Sequence, residues 1–342
     1  MTDVLDASPA SLARAAECLR AGGLVAFPTE TVYGLGAHAL DVRAVRRVFD
    51  AKGRPANDPL IVHVRTVEDV RGLAVVSEVA ERLARRFWPG PLTLVLPKKD
   101  HVPPEVTAGL STVAVRVPAH PVARGLLEAA KIPIAAPSAN LFSRPSPTRA
   151  QHVLQDLDGR IDLVIDGGAT DLGLESTVLD LTSTPPTILR PGALTLEHLG
   201  ESVAGVRWRE EGRIDAVPAS PGLMPKHYSP RAPLTLFSGP PEAAVDAIVT
   251  RARAAAAHGR RVGVLLARED VDAFGDFPVH LAEIGTADDP AGIAARLYAA
   301  MRQLDAAGVD VILARDVTTD EGVGRAIRDR LQRAASERVR LD

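Results

Sequence analysis

Short apolar runs and longer stretches of helical period alternate along this chain. Residues 8 to 21 open with Ser8-Pro9 and close at Gly22-Gly23, which predicts an amphipathic helix with a side-chain cap and a glycine stop. Strand LVAFP (24–28) follows, then LIVHV (60–64), LTLVLP (92–97), TVAVRVP (112–118), PIAAPS (133–138), LVIDGG (163–168) and STVLDL (176–181), with helical stretches between them. This alternation predicts an α/β domain with a large, partly mixed sheet.

After Pro191-Gly192 the period decays, and residues 207–232 carry Pro218, Pro221, Pro225 and Pro230 in a linker or ordered loop. The pattern then restarts: strand PLTLFS, a helix near 241–258, strands RVGVLLA and VHLAEIG, a helix near 289–307, strand VDVILA and a last helix from about 322. Residues 1–206 therefore read as one domain and 233–342 as a smaller Rossmann-like α/β domain. No repeat of solenoid period joins them.

Composition narrows the function. The chain has 342 residues with 40 Lys+Arg against 43 Asp+Glu, a net charge of −3, so no overall basic field exists to hold a long nucleic acid. Any anion site must be a local cluster. Cys18 stands alone, which rules out an internal disulfide and a CxxC zinc site. The N-terminus lacks a basic segment followed by an apolar one, and no run approaches the roughly 20 apolar residues of a membrane span, so a cytoplasmic location is expected.

Several phosphate and hydrolase signatures are missing. There is no Gly-Lys-Ser/Thr tripeptide, HExxH or GxSxG. Gly34-Leu35-Gly36-Ala37-His38-Ala39 satisfies GxGxxA in form, but TETVY separates it from its strand and no acidic residue follows at the dinucleotide-binding distance. Polar residues concentrate instead in FPTETVYGLGA (27–37), KGRPANDPLIVH (52–63), STVAVRVPAHP (111–121) and APSANLFSRPSPT (136–148). Each ends or enters a strand, where ligands of α/β sheets bind. Lys52, Arg54, Arg116, Arg144 and Arg190 drawn into one cleft would call for a multiply charged anion, and a triphosphate with its metal fits guanidinium forks. Ser138-Ala139-Asn140 and Glu175-Ser176-Thr177 supply small hydrogen-bonding groups that orient a polar ligand.

The ordered series FPTETVYGLGA, KGRPxxxPLIVH, WPGPLTLVL, VAVRVPAHP, PSAN, ESTVLDL and ILRPGAL resembles the threonylcarbamoyl-AMP synthase (YrdC-like) family. SPGLMPKHYSP and the Rossmann-like tail resemble its longer two-domain branch. The resemblance implies an N-terminal YrdC-like domain with a large twisted mixed sheet flanked by helices. It also implies a nucleotidyltransferase that converts L-threonine, bicarbonate or CO2, and ATP with Mg2+ into threonylcarbamoyl-adenylate and pyrophosphate, and a partner transferase that carries the group to tRNA. No resident metal site, stable nucleic-acid binding or membrane attachment is implied.

By the same resemblance the threonine site draws on Thr31, His63, Arg116, Ser138 and Ser176. The ATP site draws on Lys52, Arg54, Asp58, Thr112, Asn140, Thr148, Arg190 and Tyr228, with Lys52, Arg54 and Arg190 acting on the phosphates. Asp58 departs from the asparagine that many relatives carry before this proline. Arg116 suits a carboxylate because its planar fork matches one bidentately. His63 is expected to hold the amine or hydroxyl, or to accept the ammonium proton. His227-Tyr228, between Pro225 and Pro230, is expected to fold over the cleft as a lid that protects a mixed anhydride from water. Carbamoyl-adenylate chemistry is the nearest alternative and would bring CxxC motifs; an RNA-binding module would bring aromatics, yet Phe, Trp and Tyr make up 4%.

Overall fold

The computed structural model describes residues 1–210, 227–316 and 320–342. Two compact units emerge: Met1–Phe142 with the chain from Ser146 onward, and Ser143–Pro145 with the C-terminal part of the chain. The larger part of the expected linker, 211–226, lies outside the described residues.

Among the described residues the first unit is built on strands β1 (Asp3–Leu5), β2 (Val25–Pro28), β3 (Tyr33–His38), β4 (Ile61–His63), β5 (Leu92–Pro97), β6 (Thr112–Arg116), β7 (Ile134–Ala135), β8 (Leu163–Ile165), β9 (Thr177–Asp180), β10 (Thr187–Arg190) and β11 (Arg207–Trp208). They form one 11-stranded sheet in the order β1-β8-β2-β3-β7-β4-β6-β5-β9-β10-β11. The sheet is mixed: β4 and β6 run parallel, while β2 with β3 and β5 with β6 run antiparallel.

The two-residue period of β2 sorts its side chains into two layers. Val25 and Phe27 join Ala15, Leu19, Leu126 and Leu127 from helices Pro9–Arg20 and Pro121–Ala130. Ala26 joins Val48, Val153 and Leu157 from helices Val42–Lys52 and Ala150–Leu157. With both faces covered, all of β2 is buried, so it reads as a continuous apolar run.

Local chemistry fixes where the helices start and stop. Ser8 caps the first helix, accepting from the Ser11 amide, with Pro9 in its first turn. Asp41 caps the second, and Gly53 ends it at φ 61°, a left-handed turn that glycine adopts without strain. That turn sets Lys52 on the last buried helical position and sends Arg54 back into the domain, where it is 7% exposed.

Strand β3 was not expected from the sequence pattern. Gly34 and Gly36 lie on one face of it, and Phe27 of the neighbouring strand lies over them. A Cβ on Gly36 would stand 2.8 Å from Phe27 Cε1 and from Ile134 Cγ2. These glycines make room for a ring, which is a packing reason for the GxG pattern.

The second unit holds β12 (Leu234–Ser238), β13 (Val262–Leu266), β14 (His280–Glu283), β15 (Val311–Arg315) and β16 (Glu337–Arg340). All pairings are parallel, in the order β14-β13-β15-β12-β16. Helices Pro241–Ala257, Pro290–Ala306 and Gly322–Ala334 connect them. Phe237, Ile248, Val264 and Leu313 belong to its core. The edge strand β16, ERVR, has no apolar run and gave no signal.

Candidate active site

His63 and Arg116 end two adjacent parallel strands and are register partners. Arg116 is 3% exposed and its guanidinium is held on three sides. Nε donates to the Gly90 carbonyl at 3.1 Å, Nη1 donates to Thr31 Oγ1 at 3.0 Å, and Nη2 lies 2.7 Å from Glu30 Oε1. The Thr29–Val32 turn between β2 and β3 thus delivers Glu30 and Thr31 to Arg116. Thr29 Oγ1 steadies that turn by donating to the Val32 carbonyl at 2.7 Å. The Phe27 ring meets His63 edge-on with centroids 6.4 Å apart.

Charge states follow from this packing. Burial pushes the Glu30 carboxyl up, but Arg116 outweighs it and keeps Glu30 below the ordinary carboxylate value. Burial and the Arg116 charge push His63 down to about 3, against the pull of Glu30. A neutral imidazole is the resting state, which makes His63 a hydrogen-bonding group and a poor proton acceptor.

A second cluster gathers around Asp58, which is fully buried. Arg54 Nη2 stands 2.9 Å from Asp58 Oδ2 and also donates to the Pro59 carbonyl at 2.8 Å. Burial raises the Asp58 carboxyl above its ordinary value despite the opposing charges of Arg54, Lys52 and Arg190. Three of the cations singled out in the sequence therefore lie within electrostatic reach of one carboxylate. Lys52 Nζ donates to the carbonyls of Ser138 and Asn140, at 2.5 and 2.6 Å, tying the helix end to the PSAN segment.

Arg190, one of the cations near Asp58, also reaches Ser176. From β10 it donates to the Ser176 carbonyl through Nε (3.2 Å) and Nη2 (3.0 Å), and to Ser176 Oγ at 3.1 Å. Ser176 Oγ also meets Thr93 Oγ1 at 2.7 Å. Gly192, just past β10, allows this approach: a Cβ there would stand 2.4 Å from the Thr177 amide nitrogen and 2.6 Å from the Glu175 carbonyl oxygen. Ser146 donates to Glu175 at 2.5 Å, which ties the SPT segment to the same strand entry.

The other candidates take different places. Ser138 is half-buried and bridges to Gly34. Asn140 is buried and donates from Nδ2 to the Leu141 carbonyl. Buried Thr148 contacts His152 Nδ1 at 3.4 Å. Thr112 starts β6, at the opposite end from Arg116. Arg144 belongs to the second unit, where Asp305 holds it at 2.7 Å. An acid already meets its guanidinium. Tyr228 also belongs to the second unit, stacked on Tyr298 at 5.5 Å with Arg330 over its ring. The expected lid around it falls largely outside the described residues.

Glu30, Thr93 and Gly192 were not singled out by sequence. Glu30 had a signal in its position between two threonines of TETVYGL; Thr93 and Gly192 had none beyond their motifs.

Fold and site define the class: an α/β protein of two units whose larger, mixed sheet carries the buried polar chemistry. Residues 17–192 match the family described as telomere recombination, and residues 194–336 match the threonylcarbamoyl-AMP synthase C-terminal domain. The chain is 47% identical to the threonylcarbamoyl-AMP synthase of Pyrococcus abyssi over 95% of its length and 94% of the relative's. It is 46% identical to that of Bacillus subtilis, over 99% of its length and 97% of the relative's. The crystal structure of P. abyssi Sua5 complexed with L-threonine superposes with a TM-score of 0.93 at 43% identity, each chain fully covered. This chain belongs to the threonylcarbamoyl-AMP synthase family, whose members are nucleotidyltransferase-type enzymes, in its two-domain form. Among the described residues no helix is long and apolar enough to cross a membrane.

Proposed function

We propose that this protein makes L-threonylcarbamoyl-adenylate and pyrophosphate from L-threonine, CO2 or bicarbonate, and MgATP. The product then feeds a separate transferase that modifies tRNA, in the cytoplasm. The observation that carries this reading is the hydrogen bonding of Arg190 to Ser176. In this reading Arg190 is a cation that meets the phosphates and Ser176 a hydroxyl that meets the amino acid, and the bond between them supports placing the two substrates side by side.

The chemistry needs that adjacency. The threonine ammonium first gives its proton to water; the neutral amine attacks CO2, losing a second proton to water as the carbamate forms, and the carbamate oxygen attacks the α-phosphorus of ATP as pyrophosphate leaves. No covalent enzyme intermediate is required, so catalysis rests on orientation and on neutralising developing charge. In this reading Arg116 takes the threonine carboxylate, while Thr31, His63, Ser138 and Ser176 orient the amine and hydroxyl. Lys52, Arg54 and Arg190 take the phosphates. In this reading magnesium enters with ATP, since Mg2+ is usually held through phosphates with one or two carboxylates. Asp58 is the carboxylate buried among the cations.

The test is pyrophosphate release by the purified protein with ATP, Mg2+, bicarbonate and L-threonine, each omitted in turn, and the mass of the nucleotide product. Release that requires both threonine and bicarbonate, with a threonylcarbamoyl-adenylate mass, is expected. Release without either one, or none with the fold intact, would reject the reading.

A further inference from the structure

Glu30 is 6% exposed and lies at the centre of the amino-acid cluster, yet the reading above gives it no task. Arg116 is its ion-pair partner at 2.7 Å, but the approach is off the N–H direction. The Arg116 guanidinium and the backbone N–H groups of Glu30 and Ala119 face this carboxylate, but none makes a well-aligned hydrogen bond to either oxygen. A buried carboxylate whose donors are poorly aligned gains from a donor that meets it squarely. The neighbouring groups sort what that donor can be. Glu30 takes one side of the Arg116 guanidinium, so the group that meets Glu30 itself must be a donor and not an anion. His63 Nδ1 is also buried without a partner. A ligand that serves all three groups carries an anionic end for Arg116, a cationic donor for Glu30 and a hydroxyl or amine for His63. A free α-amino acid has that pattern.

We propose that Glu30 is a substrate-positioning residue that receives the ammonium group of the amino acid and so selects a ligand with a free α-amine. The inference rests on the reading that this cluster is the amino-acid site. Glu30 and Arg116 then act as a pair of opposite charges matched to the two ends of a zwitterion. Held by Glu30, the amine stays on the Thr31 and His63 side of the guanidinium while the carboxylate takes its remaining N–H groups. After deprotonation the same contact turns the amine nitrogen in one direction for attack.

The experiment compares two ligands on the full-length protein by calorimetry. One is L-threonine; the other is its hydroxy-acid analogue, 2,3-dihydroxybutanoate, which keeps the carboxylate and side-chain hydroxyl but replaces the amine by hydroxyl. The wild type is expected to prefer threonine. Glu30→Gln should weaken threonine binding about 10- to 100-fold, as expected when a charged hydrogen-bond partner is lost, and leave the analogue nearly unchanged, so that the preference collapses. Glu30→Asp should recover part of it. Melting temperature and ATP binding report whether each variant is folded, and if Glu30→Gln fails to fold, the preference is read from Glu30→Asp alone, where a fall is expected. Equal weakening of both ligands would show that Glu30 only props Arg116, and an unchanged preference would show that it is idle; either overturns the proposal while the amino-acid site stands. If the wild type itself binds no threonine, the amino-acid site falls, and Glu30's role with it.

Discussion

Arg190 reaches from β10 to Ser176 at the entry of β9 with three hydrogen bonds of 3.0 to 3.2 Å, two of them to one carbonyl oxygen. Nε and Nη2 converge on that oxygen, a geometry that a planar guanidinium supplies and an ammonium cannot. Arg190→Lys therefore keeps the charge but loses the paired hold on Ser176, which in the proposed function joins the amino-acid and phosphate sites. Turnover should fall about 10²-fold or more, with kcat/KM reduced for threonine as well as for ATP. Steady-state pyrophosphate release checks this, and activity within about twofold of the wild type would sink it.

Lys52 holds structure and, in the proposed function, also meets the phosphates. Its ammonium is the donor to two carbonyls of the PSAN segment. Lys52→Met leaves those acceptors without it, at a cost of about 1–3 kcal/mol, and removes one charge from the cluster at Asp58. Chemical denaturation should show the loss, and nucleotide titration a weakened complex. Unchanged stability would mean that the carbonyls find another donor.

Much of this was legible in the chain. The two-residue and 3.6-residue periods located most strands and helices, because burial on one or both faces imposes them. Strand β3 escaped because Gly34 and Gly36 depress strand propensity and imitate a phosphate loop; their reason is Phe27, which comes from another strand. Lys52, Arg54 and Arg190 all lie near Asp58, while Arg144 pairs with Asp305 within the second unit. Its partner Asp305 lies 161 residues away, and local spacing says nothing about pairing at that range. Glu30 was hidden for the same reason: its meaning lies in Arg116, on a strand that the sheet order brings near.

Gly192 tests how tightly the β9–β10 corner is built. Because an added Cβ would meet backbone at 2.4 and 2.6 Å, no side chain can rotate away to relieve it. Gly192→Ala should destabilise the protein by about 1–3 kcal/mol and shift Ser176, raising the KM for threonine. Thermal and urea unfolding measure the first effect and kinetics the second. A variant as stable and as active as the parent would show that the corner is looser than its contacts imply.

His63 offers a test by pH. Its folded value of about 3 lies below the ordinary 6.5, so between these limits the unfolded chain binds a proton that the folded site refuses. The linked stability is whole above about pH 6.5 and is lost as the pH falls toward 3. In the ligand-free protein the His63 ring signals should not titrate between about pH 5 and 8, as NMR can show. His63→Asn should remove part of the acid-side loss of stability and lower kcat/KM for threonine. It should leave any near-neutral limb of the rate profile in place, because a ring that stays neutral contributes none. A His63 signal that titrates near its ordinary value, or a limb that vanishes in the variant, would make His63 the proton acceptor after all.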